Sequence, residues 1–139
     1  MVMGYRILDH TADIGIEVHG ATLTDLFSQA AFALVDLLTD RAMLTGEAER
    51  IIRVAGADLE DLWINYLREI LYLFNGENFL LKDIPGIKFS ELSLEASLLG
   101  ASYNPRRHAI KTEIKAVTYH RAEVKQTPDG WWGVFIVDV

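Results

Sequence analysis

With 139 residues, half of them hydrophobic, the chain is the size of one ordinary domain with a well-filled core, and its lack of cysteine excludes disulfides and thiolate metal sites. The net charge of −7 argues against autonomous nucleic-acid binding, because only "RRH" at 106–108 and the Lys111/Lys115 pair gather basic groups. An acidic protein of this kind suits a cation or a basic protein surface instead.

The first ten residues lack a basic stretch followed by a long apolar block, so no signal peptide is expected. No apolar run approaches the roughly 18 residues needed to span a bilayer. A cytoplasmic protein with no membrane association is the expectation, and the missing cysteines fit a reducing compartment.

In chain order, Ile14, Ile16 and Val18 alternate with Gly15, Glu17 and His19, which predicts a half-buried strand. "TLTD" at 22–25 resembles a capping box with Asp25 in the acidic position. The apolar stripe of Leu23, Leu26, Phe27, Ala30, Leu34, Leu37 and Leu38 then predicts an amphipathic helix over 23–39. A short strand is expected around 50–55. Asp58, supported by Asp61, is the expected cap of a second helix, striped by Leu59, Leu62, Trp63, Tyr66, Leu67, Ile70, Leu71 and Phe74 and ended by "NGEN" at 75–78.

After a Pro85–Gly86 turn the chain reads as strands to its end. Ile87 and Phe89 share one parity while Leu92, Leu94, Ala96 and Leu98 share the other, which predicts a bulge or a sheet crossing near Ser90. "YNPRR" at 103–107 is a loop, strands follow near 109–119 and 121–127, and "TPDG" at 127–130 is a turn before the last strand. No linker, low-complexity tract or clear repeat divides the chain. The pattern predicts a single α+β domain over 1–139, a mostly antiparallel sheet with two packed helices.

Phosphate-binding P-loops, glycine-rich dinucleotide fingerprints, HExxH and GxSxG are all absent from the sequence. His10, His19, His108 and His120 match no zinc spacing and read as surface or loop histidines; His10 stands out only for lying three residues before Asp13. Two segments hold more. Asp13 precedes the first alternating strand and shares its outward parity. In the last strand Val134, Ile136 and Asp138 share one face, so Asp138 takes an apolar position beside the end of the chain. A buried carboxylate must be hydrogen-bonded, paired or protonated. Two readings stand: a solvated chain end, or an oxygen set from Asp13, Asp138 and Val139 for a hard divalent cation, with distances of about 2.3–2.6 Å for calcium. In "EIKAVTYH" at 113–120, Lys115 lies either on an ordinary charged face or toward a phosphate or the acidic cluster.

"HTAD" near the start, "IKAVTYH" within, and an end in "GW" plus "IVDV" together resemble the archease family, and the helix "DLEDLWINYLREILYLF" fits as well. The resemblance covers essentially the whole chain. It departs at Gly100–Ala101, where many members have Gly-Glu, and at Tyr66, where a polar or acidic residue is usual. The resemblance implies a strand-helix-strand-strand module with a second such unit inserted. It implies no catalysis of its own, but activation of an RtcB-type RNA ligase in tRNA splicing and RNA repair. There the family promotes metal- and GTP-dependent guanylylation of the ligase and multiple turnover. Carried over, the metal ligands are Asp13, Asp138 and Val139, and the cofactor is a divalent ion, calcium first and magnesium or manganese otherwise. Lys115 and His10 would serve partner activation. The competing classes are a metal-dependent phosphoesterase or hydrolase with its site at Asp13/Asp138, and a chaperone-like adaptor using the apolar stripe of helix 58–74.

Overall fold

Two short sequences of the same form start the two helices of this computed structural model, which describes residues 4–9 and 13–139. Thr22 Oγ1 accepts the Asp25 amide at 3.1 Å and the Asp25 carboxylate accepts the Thr22 amide at 3.2 Å, so α1 (Leu23–Leu38) opens on the expected capping box. Asp58 accepts the Asp61 amide at 2.8 Å to open α2 (Leu59–Glu77), while Asp61 reaches past the cap to the Ala57 amide at 2.8 Å. The left-handed Asn78, at φ 57°, closes α2. "GATLTDL" at 20–26 and "GADLEDL" at 56–62 are therefore one repeated entry into a helix, too short to register as a repeat of the whole chain. The glycine is required in both, because a Cβ on Gly20 or Gly56 would lie 2.4 Å from the amide nitrogen of Leu26 or Leu62.

The strands form two antiparallel sheets rather than one. β1 (Gly4–Asp9), β2 (Asp13–Gly20), β6 (Ala116–Thr127) and β7 (Gly130–Asp138) make the first, in the order β1-β2-β7-β6. β3 (Ala48–Ala55), β4 (Phe79–Ser90) and β5 (Ser93–Ser102) make the second, in the order β3-β5-β4. Leaving β1 aside, the first unit runs strand, helix, strand, strand (β2, α1, β6, β7), and an equivalent unit (β3, α2, β4, β5) is inserted after α1. The α+β class and the inserted-unit plan are those the resemblance implied.

An aromatic cluster ties the units together. The Phe27 ring on α1 lies 5.1 Å from Trp63 and 5.1 Å from Tyr66, both on α2, and 5.1 Å from Phe89 on β4. Trp63 also meets Phe135 of β7 edge-on at 5.9 Å. The polar atoms brought along are satisfied: Trp63 Nε1 donates to the Val134 carbonyl at 3.1 Å and the Tyr66 hydroxyl to the Phe27 carbonyl at 3.0 Å. The stripe offered above as an adaptor face is thereby core, with Leu62, Trp63, Tyr66 and Leu67 fully buried.

Several local expectations change. Pro85–Gly86 lies inside β4, where the pairing with β5 shifts register on either side of Asp83, so it is a strand irregularity and not a boundary. The parity slip near Ser90 is a tight β4–β5 hairpin with Glu91 at φ 57°, which reverses the chain instead of bulging it. Residues 109–115 do not form a strand. Ile110 makes one isolated bridge to Thr39, whose hydroxyl donates to the Ala109 carbonyl at 2.7 Å, and regular pairing starts only at Ala116. Both Ile114 and Val117 are fully buried, which an unbroken alternation cannot achieve. β1 carries no clean alternation because it is a sheet edge: Tyr5 and Ile7 stay partly exposed, and Tyr5 reaches α1 by donating to Asp36 at 2.7 Å.

Candidate functional site at the paired aspartates

The site begins in the register of the first sheet. β2 and β7 pair so that Asp13 lies directly opposite Asp138, followed by Gly15 opposite Ile136, Glu17 opposite Val134 and His19 opposite Trp132. Ile16 and Val18, with Phe135 and Val137, fill the other face and are buried against the helices. Asp13 and Asp138 therefore share the outward face at the end of the sheet, both half-buried. Directly opposed side chains have Cβ atoms about 4.5–5.5 Å apart, and like charges so placed repel. Among the described residues neither carboxylate enters a salt bridge.

The third strand in line is β6. Ala116 pairs with Asp138 on its far side, and the Lys115 amide donates to the Asp138 carbonyl at 2.7 Å. Three consecutive strands thus bring Asp13, Asp138 and Lys115 together, although residues 13 and 138 lie at opposite ends of the chain. The contact with Lys115 is through its main chain. Its exposed side chain lines a groove of about 330 Å³ with Arg68, Leu71, Tyr72 and Asn75 of α2, and its ammonium bridges neither aspartate within 4.0 Å.

The donor set can be tested against a metal. Asp13 and Asp138 offer only oxygen, the preference of calcium, magnesium and manganese rather than of softer ions. Among the described residues no group of three or more His, Asp or Glu side chains converges to hold an ion. Two carboxylates fit one side of a hard cation, with its remaining positions left to main-chain oxygen, water or a partner. His10, expected near this site, lies outside the described residues. Exposed Val139 follows Asp138 directly at the end of β7.

Behind the aspartates on the same face is a cleft of about 420 Å³ whose lining includes Leu8, Gly15, Glu17, Trp132, Val134 and Ile136. Partial burial pushes the Glu17 carboxyl up, but hydrogen bonds from Arg6 at 3.0 Å and with His19 at 3.2 Å outweigh it and hold the group below its ordinary range. This polar trio was not singled out from sequence; the alternation of β2 placed Glu17 and His19 on one face but carried no sign of Arg6. Of the other histidines, His108 is buried, its Nδ1 accepting the Asn104 amide at 3.0 Å, and His120 is exposed. Ala101 is also buried and lines a separate cleft with Glu47, Arg107 and His108, so the departure from Gly-Glu does not touch the aspartate pair.

No helix is long and apolar enough to cross a membrane among the described residues. The sequence model of the Archease protein family (MTH1598/TM1083) matches residues 5–139. A protein archease of Methanosarcina acetivorans is 37% identical over 140 residues, covering 97% of this chain and 95% of that protein. The solution structure of Methanobacterium thermoautotrophicum protein 1598 superposes with a TM-score of 0.84 at 26% identity, covering 98% of this chain and 99% of that one. For the fold alone, the crystal structure of a Thermotoga maritima archease, termed a possible chaperone, gives a TM-score of 0.60 at 20% identity over 95% of this chain and 94% of that one. On this evidence of sequence and fold alike, the chain belongs to the archease family.

Proposed function

We propose that this protein is a non-catalytic activator of an RtcB-type RNA ligase in tRNA splicing and RNA repair, promoting the metal- and GTP-dependent guanylylation of the ligase and its multiple turnover. The observation that carries the reading is the direct cross-strand opposition of Asp13 and Asp138 at one sheet end, with Lys115 hydrogen-bonded to the same strand terminus. Two carboxylates held this close favour binding of a cation over standing alone. Asp13, Asp138 and an oxygen of Val139 would hold a divalent ion, calcium first and magnesium or manganese otherwise. When bound, such an ion offsets the paired negative charge and supplies Lewis acidity toward phosphate oxygens.

The chain's own residues account for the rest. Its net charge of −7 steers the acidic end toward a cationic, phosphate-binding partner. Rigid pairing of β2, β7 and β6 presents the aspartates without reordering on encounter. Lys115, exposed beside them, is free to meet a phosphate or a carboxylate of the ligase.

The test is guanylylation of a cognate ligase by GTP, at limiting ligase, with this protein and with its Asp13→Asn and Asp138→Asn variants. Each variant is expected to lose stimulation down to the unassisted rate while melting no earlier than the parent, since a like-charge pair is removed. Stimulation that survives in both variants would sink the reading. Ligase binding that persists in excess chelator, without stimulation by either form, would favour the adaptor class instead.

A further inference from the structure

β6 is the outermost strand of its sheet, and an edge strand presents backbone groups that no further strand can pair. Here one flank of α2 meets backbone groups of β6 and of the segment leading into it. The Glu60 carboxylate accepts the Val124 amide at 3.1 Å, Arg68 Nε donates to the Val117 carbonyl at 2.9 Å, and Asn75 Nδ2 donates to the Ile114 carbonyl at 3.2 Å. Residues 60, 68 and 75 fall within about one quarter of the helix circumference at 3.6 residues per turn, so a single flank acts as a substitute strand. Arg68 additionally lies 4.4 Å over the Tyr119 ring, whose hydroxyl donates to Asp61 at 2.7 Å.

The spacing of these contacts matters. Asn75 and Arg68 hold the carbonyls of residues 114 and 117, and Lys115 lies between them, at the junction where irregular chain becomes strand. The Lys115 amide is meanwhile fixed to Asp138. We propose that Arg68 and Asn75 are positioning residues: together they bracket Lys115 and set its side chain, in the groove it shares with them, relative to the aspartate pair. The proposal rests on the reading of Lys115 given above and adds how α2, an element of the inserted unit, controls it.

The experiment uses the full chain and a cognate ligase, with Arg68→Met and Asn75→Leu combined so that both donors are lost at similar volume. Maximal stimulation of guanylylation should fall about tenfold or more, as expected when a group that assists the reaction is held off its position. The concentration giving half-maximal effect should stay unchanged, and amide hydrogen exchange across 114–118 should speed up. Restoring one donor with Arg68→Lys in place of Arg68→Met should recover most of the loss. Full stimulation by the double variant overturns the proposal, as does a loss that merely tracks a lower melting temperature and is not recovered by lysine. Lys115→Met separates the two levels: it should abolish stimulation with exchange across 114–118 unchanged. Full stimulation by that variant would overturn the role of Lys115 itself, whatever the bracket does.

Discussion

The two strand-helix-strand-strand units are built alike and used differently. Each enters its helix through a glycine-to-leucine heptapeptide of the same pattern, and each carries its last strand in the middle, between the first strand and the second. At the corner where β2 begins and β7 ends, Asp13 faces Asp138. At the matching corner of the inserted unit, where β3 begins opposite the end of β5, Ala48 faces Gly100. A Cβ on Gly100 would meet the Leu80 carbonyl oxygen at 2.3 Å, so that corner is closed by backbone packing. The frame is repeated and the corner side chains are not: one corner is acidic, while the other unit contributes α2, which buries the shared core and hydrogen-bonds the segment beside the acidic corner.

This contrast can be broken at the joint, at the entries and at the outer face. The largest effect is expected at Trp63, the side chain that links the inserted unit to β7. Trp63→Ala should cost about 3–5 kcal/mol in denaturant unfolding, because a fully buried aromatic leaves a cavity and strands the Val134 carbonyl. A cost under 1 kcal/mol would mean that the units do not depend on one another.

Next come the entries. Gly20→Ala and Gly56→Ala should each destabilise by about 1–3 kcal/mol, since the new methyl must displace helix backbone. Equal losses would support a common frame, and a large loss in only one would show that the likeness is superficial. Smaller and of similar size should be the caps, with Thr22→Ala and Asp58→Ala at about 1 kcal/mol each.

The smallest effect belongs to pH. Glu17 is held below its ordinary value of 4.5 in the folded chain, so its contribution is present above that value and fades as pH falls through the lower folded value. Glu17→Gln should therefore flatten the acid limb of a plot of unfolding midpoint against pH. A limb identical to that of the parent chain would show that the Arg6 and His19 contacts add nothing.

Much of this was legible in the chain itself. Both helices could be placed from apolar spacing and caps, because a helix is held by bonds four residues apart and advertises itself locally. β2 was readable from strict alternation and β7 from an apolar run following the "TPDG" turn, and Asp138 was conspicuous as a charge at an apolar position. Pro85–Gly86 and residues 109–115 were misread for opposite reasons: a turn signal was absorbed into β4 through an irregular register, while the alternation of Ile110 and Ile114 with polar residues found no strand to pair with beyond one bridge. Partition into two sheets was equally hidden, since the pairings that complete each sheet, β2 with β7 and β3 with β5, join residues dozens of positions apart or more.

By itself the sequence determined which residues could cap, which faces were apolar and which carboxylates were out of place, all properties of near neighbours along the chain. Only the tertiary structure decided that Asp13 lies opposite Asp138, that Lys115 reaches Asp138 by its main chain, and that Arg68 and Asn75 hold the segment around it. Those contacts depend on which strands pair and which helix flank meets the sheet edge. That choice is made by burial of the whole core, and no local pattern records it.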